Sequence, residues 1–556
     1  MPETKSVSIG IDIGTTYSSM AYAAIKVTNG VPVAVPRSAT DPTSSRLERQ
    51  FIPSLVCAYV EKGQLKWAVG QEAERMSQKH KNKAHLYRAF KLFLGTSLPE
   101  KDKNIVLDGI PVKTDAVELA KKIVSYMRDL AFGPSGELEG FAVNSITVST
   151  PALWTEDRKS EVEGIVRSVF PESAVQSLEE PISALYHQIN SANHLLSGPE
   201  KNVLVVDYGG GTCDVAVVRI KRNAERLQAE SKNVAEVIGR GSLERGGEII
   251  DRKIARFIDA KLKKQGVTLS SQELLKEAEA LKITFSNQIR DNRIYPYGEI
   301  REPFKMKYES QHLSGKNKSI QMTEDSFAKL LDEELNRIAE PIVEALNNAS
   351  DLIEKPLTHK DIKFVFLAGG STLLPFVKDK IHSFFLEKDT SVSVGEPEPR
   401  FAIAYGNALH AYHTYTRTGF GIGVSLQESI WLKVLGGFGS RIASKGVTLP
   451  FEHTETFLLV ERTDTIEVEL YIGRNLLVKN DTRISESIKL QLTKPIRPFT
   501  RLKAYIFIHE SGSIDFELSR VGYPQDVVKI KKRVPVRNDL DEMAARIGMN
   551  FLKEDL

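Results

Sequence analysis

Two short stretches of this 556-residue chain end an apolar, β-branched run with a carboxylate and follow it with glycines and threonines. The first is VSIGIDIGTTYSSM, with Asp12, Gly14, Thr15, Thr16 and Tyr17; the second is NVLVVDYGGGTCDVAVV, with Asp207, Gly209, Gly210, Gly211 and Thr212. Tight turns of Gly and Thr leave successive backbone N–H groups pointing into a concavity that no side chain blocks, which suits an anionic phosphate. A carboxylate just before such a turn is well placed to hold Mg2+, usually through its waters, because Mg2+ dehydrates reluctantly. The same plan occurs twice, 195 residues apart from Asp12 to Asp207, so two similar halves facing each other would grip one triphosphate from both sides. A third glycine turn, Gly369-Gly370-Ser371 in FVFLAGGSTLLPFV, runs from a strand into a helix start, where an anion or a ribose is favoured. Its plain alternative is an ordinary strand-to-helix turn.

The elements that must carry these turns read as α/β layers. Each carboxylate motif is a strand, a tight turn and a second strand. The spacing of apolar residues predicts helices over 115–132, 157–170, 249–265, 270–283 and 323–348, and strands over 144–150 and 361–367. After about residue 415 the pattern changes to short alternating runs with turn residues between them, a separate all-β unit of about 120 residues, enough for a sandwich core. The stretch 538–552 reads as one short helix behind an Asn/Asp cap, with no helical domain after it.

Composition narrows the classes. With 41% apolar and 26% charged residues the chain falls among ordinary globular proteins, and its length allows about three compact units. A net charge of +3 is too small to imply nucleic acid or an anionic membrane as partner. The basic run VVKIKKRVPVR reads as the lysine-rich cover of an edge strand. Cys57 and Cys213 are the only cysteines, so no disulfide framework or four-thiolate zinc site arises within the chain; Cys213, inside a strand run, reads as a small buried apolar side chain. The polar N-terminus lacks a signal-peptide pattern and no apolar run spans a bilayer, which makes a cytoplasmic location the expectation. Walker A, HExxH and GxSxG motifs do not occur.

At this point the residues resemble a family, the heat-shock-70 (DnaK-type) chaperones of the actin-like ATPase superfamily. IGIDIGTTYSS resembles that family's first phosphate loop, VVDYGGGTCDVAVV its second, ERGGEIID with Gly246 and Gly247 a further loop, and FLAGGSTLLP its adenosine loop. RQFIPSLV, VGQEA, VSTPALWTEDRKSEV, SLEEPISALYH and AIAYGNAL follow in the family's order, across residues 7–409. GVTLPFEHTETF, ELYIGRN and FIHESGSIDFEL resemble strands of its peptide-binding sandwich, a weaker likeness than the first. The resemblance implies a two-lobed actin-like (ribonuclease-H-like) α/β ATPase domain over 1–415, with lobes of about 1–200 and 201–415. A β-sandwich over 416–537 and a short helix over 538–556 in place of a helical lid would follow.

The same resemblance implies ATP or ADP with Mg2+ as cofactors. Asp12, Asp207 and Glu180 would serve the metal, and Lys91, Glu180, Asp207 and Thr212 the chemistry. Gly14, Thr15, Thr16, Tyr17, Gly209, Gly210, Gly211, Gly246, Gly247, Gly369, Gly370 and Ser371 would cradle the nucleotide, with Glu279, Lys282 and Ser286 at its ribose and base. For Lys91 the flanks also fit a solvated surface lysine, and Arg88 lies close by in sequence. The implied activity is an ATPase that regulates the binding of extended apolar polypeptide, with a co-chaperone or exchange factor as possible partner. Three departures stand out. Ile283 and Leu373 occupy the places of two arginines that clamp adenine, Lys159 stands for a relay arginine, and HTYTRTGFGIGV replaces the leucine-rich acidic linker. Ile283, Leu373 and the altered linker favour a second reading, a nucleotide-bound scaffold or exchange partner of another chaperone. A polymerising filament protein is a third class, against which the appended β-unit speaks.

Overall fold

A computed structural model describes residues 5–28, 31–39, 51–191, 193–222, 224, 233–294, 299–300, 304–310, 319–385, 391–394, 399–418, 420–426, 428–433, 439–458, 463–473, 482–483, 488–496, 499–508 and 513–533. The helix expected over 538–552 lies outside the described residues.

The first carboxylate motif is an antiparallel hairpin, β1 (Ser6–Asp12) and β2 (Tyr17–Thr28), with Asp12 opposite Ser19. Strand β3 (Val31–Ser38) pairs antiparallel with β2, while β4 (Ala142–Thr150) lies parallel to β1 and β5 (Ala174–Glu179) parallel to β4. The order is β5-β4-β1-β2-β3. Helix α1 (Ala116–Phe132) starts where the Asp115 carboxylate accepts the Glu118 N–H at 2.8 Å, and its 3.6-residue period turns Leu119, Ile123, Val124 and Met127 inward. Helix α2 (Glu156–Val169) adds Val162, Ile165 and Val166 to the same core. Helix α3 (Glu180–Ser191) begins directly at the end of β5.

The second motif is the hairpin β6 (Lys201–Tyr208) and β7 (Cys213–Ile220), which sets Asp207 opposite Asp214. Strand β8 (Asn233–Leu243) is antiparallel to β7. There follow α4 (Gly247–Lys263), α5 (Ser271–Asn292), α6 (Glu324–Asn336), α7 (Ala339–Ile353), β9 (Ile362–Ala368), α8 (Pro375–Phe385) and β10 (Ser391–Val394). Strand β9 runs parallel to β6 and β10 parallel to β9, so β10-β9-β6-β7-β8 repeats the first sheet strand for strand in order and in sense. The duplication visible in two short motifs extends to five strands in each sheet.

Two helix boundaries differ from the sequence reading. Helix α5 continues past Ile283 to Asn292, because Phe285 and Ile289 prolong the buried stripe begun by Ala278 and Leu281. The single helix expected over 323–348 is two. Pro341 has no N–H to give the Arg337 carbonyl and disfavours helical geometry before it, so the ladder breaks between α6 and α7.

Helix α9 (Ala402–Thr416) packs against both α3 and the first sheet. It approaches α3 so closely that a Cβ on Gly406 would stand 1.7 Å from the Ser183 carbonyl oxygen. The next residue, Asn407, donates to the Ile11 carbonyl at 2.9 Å and accepts from the Ser183 hydroxyl at 2.6 Å.

Beyond α9, β11 (Gly421–Ser425) lies parallel to β8. After it come β12 (Ser429–Lys433), β13 (Gly439–Ala443), β14 (Thr448–Leu449), β15 (Phe451–Leu458), β16 (Thr463–Val468), β17 (Leu470–Gly473), β18 (Thr482–Arg483), β19 (Ile488–Ile496), β20 (Arg501–Ile508), β21 (Ser513–Arg520) and β22 (Tyr523–Arg533). Strand β14 pairs with β11, so two strands past residue 416 complete a seven-stranded sheet. The others form sheets β13-β12-β17-β18 and β15-β20-β21-β22 and the pair β16-β19. One apolar cluster draws Ile430 and Leu470, Ile466 and Leu490, and Ile506 and Phe516 from all three. The described part of the basic run, as far as Arg533, falls on β22, an edge strand among the described residues.

Candidate functional site

The turns of both carboxylate hairpins open into one cavity of about 660 Å³. They touch. A Cβ on Gly210 would lie 2.2 Å from the Thr16 hydroxyl oxygen and one on Gly211 2.4 Å from that of Thr15. Gly369 has φ +82°, and a Cβ there would meet an Asp207 carboxylate oxygen at 2.4 Å, so both conformation and space demand glycine. The second turn is braced from behind: the Gly209 carbonyl accepts from the Ser371 hydroxyl at 2.7 Å and the Gly247 N–H at 3.0 Å, and the Gly210 carbonyl accepts the Glu248 N–H at 2.8 Å. In a trans peptide C=O and N–H point in opposite directions, so the N–H groups of Gly210 and Gly211 face away from these braces.

Of the residues singled out in sequence, Asp12, Thr15, Thr16, Tyr17, Lys91, Glu180, Asp207, Gly209, Gly210, Gly211, Thr212, Gly247, Glu279, Lys282, Ser286, Gly369, Gly370 and Ser371 line this cavity, together with Ile283 and Leu373. Gly14 and Gly246 stand behind it. Gly14 makes room for the Tyr17 carbonyl, 2.0 Å from where its Cβ would be, and Gly246 abuts the Gly210 backbone at 2.5 Å. Both shape the turns from outside the lining.

At the centre the charges are crowded. Lys91, in a short 3-10 turn (Phe90–Phe93), is buried with its ammonium 2.5 Å from the carboxylate of Glu180, the first residue of α3. The surface-lysine alternative is thereby excluded. Burial works against the Lys91 charge, but Glu180, Asp12 and Asp207 outweigh it and hold its pKa above the ordinary value. Burial pushes Asp12 up to about 6, opposed by Lys91 and by the Ser149 hydroxyl at 3.1 Å. Burial, with the charge of Glu180, pushes Asp214 up to about 7, against hydrogen bonds from Thr212, Ser242 and the Ala152 N–H. Asp207 is raised well above the usual range by burial and by Glu180, Asp214 and Asp12, and its Oδ1 has no hydrogen-bond partner.

Glu180, Asp12 and Asp207 around one lysine, with Asp214 opposite Asp207 and an orphaned Asp207 oxygen, are the donor set that a cation would satisfy. Among the described residues no three His, Cys, Asp or Glu side chains converge closely enough to bind a metal directly. The orphaned Asp207 oxygen and the carboxylates beside it fit a hydrated cation such as Mg2+.

The other end of the cavity is walled by α5. The Tyr17 hydroxyl donates to Glu279 at 3.0 Å, with the Arg88 guanidinium 3.9 Å away; Lys282 pairs with Asp251 at 2.7 Å. Sequence reasoning missed Asn287, Arg290 and Arg400 here, and Asp214 buried opposite Asp207 behind the second turn. Asp214 had a signal, since counting back across the GGGT turn puts it opposite Asp207; the other three sit on no recognisable motif.

The family model described as Hsp70 protein matches residues 183–498. The chain belongs to the Hsp70 family. It is 25% identical to the mitochondrial-type heat shock protein 70 of Encephalitozoon hellem, over 88% of this chain and 77% of that one. Identity is also 25% to heat shock 70 kDa protein 7, chloroplastic, of Arabidopsis thaliana (98% and 72%) and to chaperone protein DnaK of Thermotoga petrophila (86% and 73%). As an Hsp70 relative it is of mixed α/β architecture, and among its described residues no helix is long and apolar enough to cross a membrane.

Proposed function

We propose that this Hsp70-family protein is an ATP-hydrolysing chaperone of the cytoplasm. An actin-like domain of two lobes, about 1–200 and 201–415, takes Mg-ATP in the cleft between them. A β-sandwich, about 416–537, binds extended apolar polypeptide, with a co-chaperone or exchange factor as further partner. The observation that carries the reading is the meeting of the Thr15–Thr16 and Gly209–Thr212 turns beside the buried Lys91–Glu180 pair.

In this reading the N–H groups of the two turns would bind the β- and γ-phosphates, and Asp12, Asp207 and Glu180 would hold Mg2+. When bound, the metal neutralises charge on the phosphates. Lys91, fixed by Glu180, orients the water whose oxygen attacks the γ-phosphorus as the bond to the bridging oxygen breaks. The water's proton passes to a neighbouring carboxylate of the cluster. Hydrolysis then acts as a switch, because ATP and ADP shift the sandwich only through different contacts with its two states.

Dissociation of a fluorescent apolar peptide, followed by anisotropy in Mg-ADP and in Mg-ATP, tests the whole reading. Clearly faster release in ATP is the expected result; peptide binding that ignores the nucleotide overturns it. The aliphatic pair Ile283 and Leu373 at the cavity wall favours one alternative, a nucleotide-bound scaffold or exchange partner with little turnover of its own.

A further inference from the structure

The turn that carries Lys91 has few bonds of its own. Phe90–Phe93 is a single 3-10 turn, closed by the Leu92 N–H to the Ala89 carbonyl at 3.2 Å and the Leu94 N–H to the Lys91 carbonyl at 3.1 Å. The chain enters it through Ala89 at φ +50°, a left-handed conformation uncommon for a residue with a Cβ, and leaves through Gly95 at φ +78°. Backbone of this kind persists only where its surroundings hold it. The direction of the Lys91 side chain therefore depends on what grips the turn from outside.

Arg158, buried in the first turn of α2, supplies that grip. Its Nε donates to the Leu94 carbonyl at 2.8 Å and its Nη2 to the Leu92 carbonyl at 3.4 Å, so one planar fork fixes the end of the turn at two points. Gly95 admits it, since a Cβ there would stand 2.2 Å from the Arg158 Cγ. The Trp154 ring lies 4.0 Å from the Arg158 guanidinium and 5.8 Å from the Lys91 ammonium, so both cations rest on one indole. Arg158 also reaches the far side of the site: its Nη1 donates to Glu244 at 3.4 Å. Glu244 follows β8 and leads into Gly246 and Gly247, beside the Gly209–Thr212 turn. The Leu92 side chain abuts the same turn, 2.8 Å from where a Cβ on Gly211 would be. One guanidinium thus joins the Lys91 turn to the loop behind the glycine turn, and it does so from outside the cavity lining.

We propose that Arg158 is a positioning residue for hydrolysis, which acts through Lys91 by fixing its turn against the Gly209–Thr212 turn. The proposal rests on reading the cavity as an ATPase site and adds a residue behind it that governs its rate.

The test is single-turnover hydrolysis of Mg-ATP by the full chain, with the dissociation constant of Mg-ADP measured alongside to separate chemistry from binding. Arg158→Met keeps most of the side chain's length and removes every donor. An ångström of displacement costs up to about a hundredfold, and with Glu180 still holding Lys91 a loss of about tenfold is expected, ADP binding changing less than about twofold. Arg158→Lys keeps the charge beside Glu244, but one ammonium lacks the fork that spans both carbonyls. Its hydrolysis should slow about threefold, a loss of geometry alone, and it is the deciding variant if Arg158→Met fails to fold. An unaltered hydrolysis rate in folded Arg158→Met, whatever its melting temperature, overturns the positioning role, as does a loss confined to ADP binding. A lysine variant as fast as the unaltered chain overturns it too, since charge then suffices. All three leave the ATPase reading intact, whereas absence of turnover in the unaltered chain overturns both.

Discussion

Gly406→Ala measures how tightly α9 is held against α3. The new Cβ would lie 1.7 Å from the Ser183 carbonyl oxygen, whereas carbon and oxygen in contact stay about 3.3 Å apart. The helices must therefore part by about 1.6 Å, which forfeits much of their dispersion contact and strains the bonds by which Asn407 ties Ser183 to Ile11. Overpacking of this kind costs about 1–3 kcal/mol, and loosening a buried amide about 1 kcal/mol more. Alanine's helix propensity returns about 1 kcal/mol, so the net loss is about 1–3 kcal/mol. Gly164→Ala in α2 is the control: nothing lies within 4 Å of its added Cβ, so only the propensity gain of about 1 kcal/mol remains. Urea and thermal unfolding of the two variants should move in opposite directions. Turnover is a second readout, because Ser183 lies one helical turn from Glu180 and an ångström of displacement at a catalytic pair costs up to about a hundredfold. A Gly406→Ala protein as stable as Gly164→Ala would refute the close approach of the two helices.

Asp207→Asn should abolish Mg-dependent phosphate release without lowering the melting temperature, since it relieves a crowded set of buried carboxylates; undiminished turnover would remove Asp207 from the mechanism. His410 and His413 are held near pKa 4 by burial, His410 also by the charge of its neighbour. Unfolded histidines take up protons below about pH 6.5, so each contributes stability that is lost at about 1.4 kcal/mol per pH unit between 6.5 and 4. Asp12 and Asp214, with raised pKa values, act in the opposite sense. The difference in urea midpoint between the unaltered chain and His410→Gln/His413→Gln across pH 7 to 5 isolates the histidines, and a pH-independent difference would contradict their burial as neutral rings. The Tyr186 hydroxyl accepts the Ile422 N–H at 3.2 Å. Tyr186→Phe leaves that amide short of a partner worth about 1 kcal/mol, so exchange of the β11 amides should quicken about fivefold by hydrogen–deuterium mass spectrometry, and unchanged protection would show that the ladder to β8 alone holds the strand.

The parts legible in sequence were those set by local rules. A carboxylate, glycines and β-branched flanks specify each hairpin within twenty residues, and the Asp115 cap and the Leu119–Ile123–Met127 spacing specify α1. The Lys91–Glu180 contact spans 89 residues, so only the resemblance could bring it forward. The end of α5 was misjudged because Ile283 and Thr284 are poor helix formers, and packing of Phe285 and Ile289 overrides them. Arg400, outside any motif, reaches the cavity only because β9 and its turn carry Gly370 beside it. The placement of β11 in the seven-stranded sheet was hidden for a related reason: its alternating run matches the β-unit that follows, and only the pairing with β8 shows where it belongs.

That pairing determines how the molecule bears tension. Strand β11 lies between β8 and β14, bonded along both edges, at the point where the chain passes from α9 to β12. A pull directed along β11 loads its ladder bonds to β8 together, in shear. Whatever force the later strands pass back to β11 reaches α9 only after the ladder to β8 gives way, so that ladder shields the contact at Gly406.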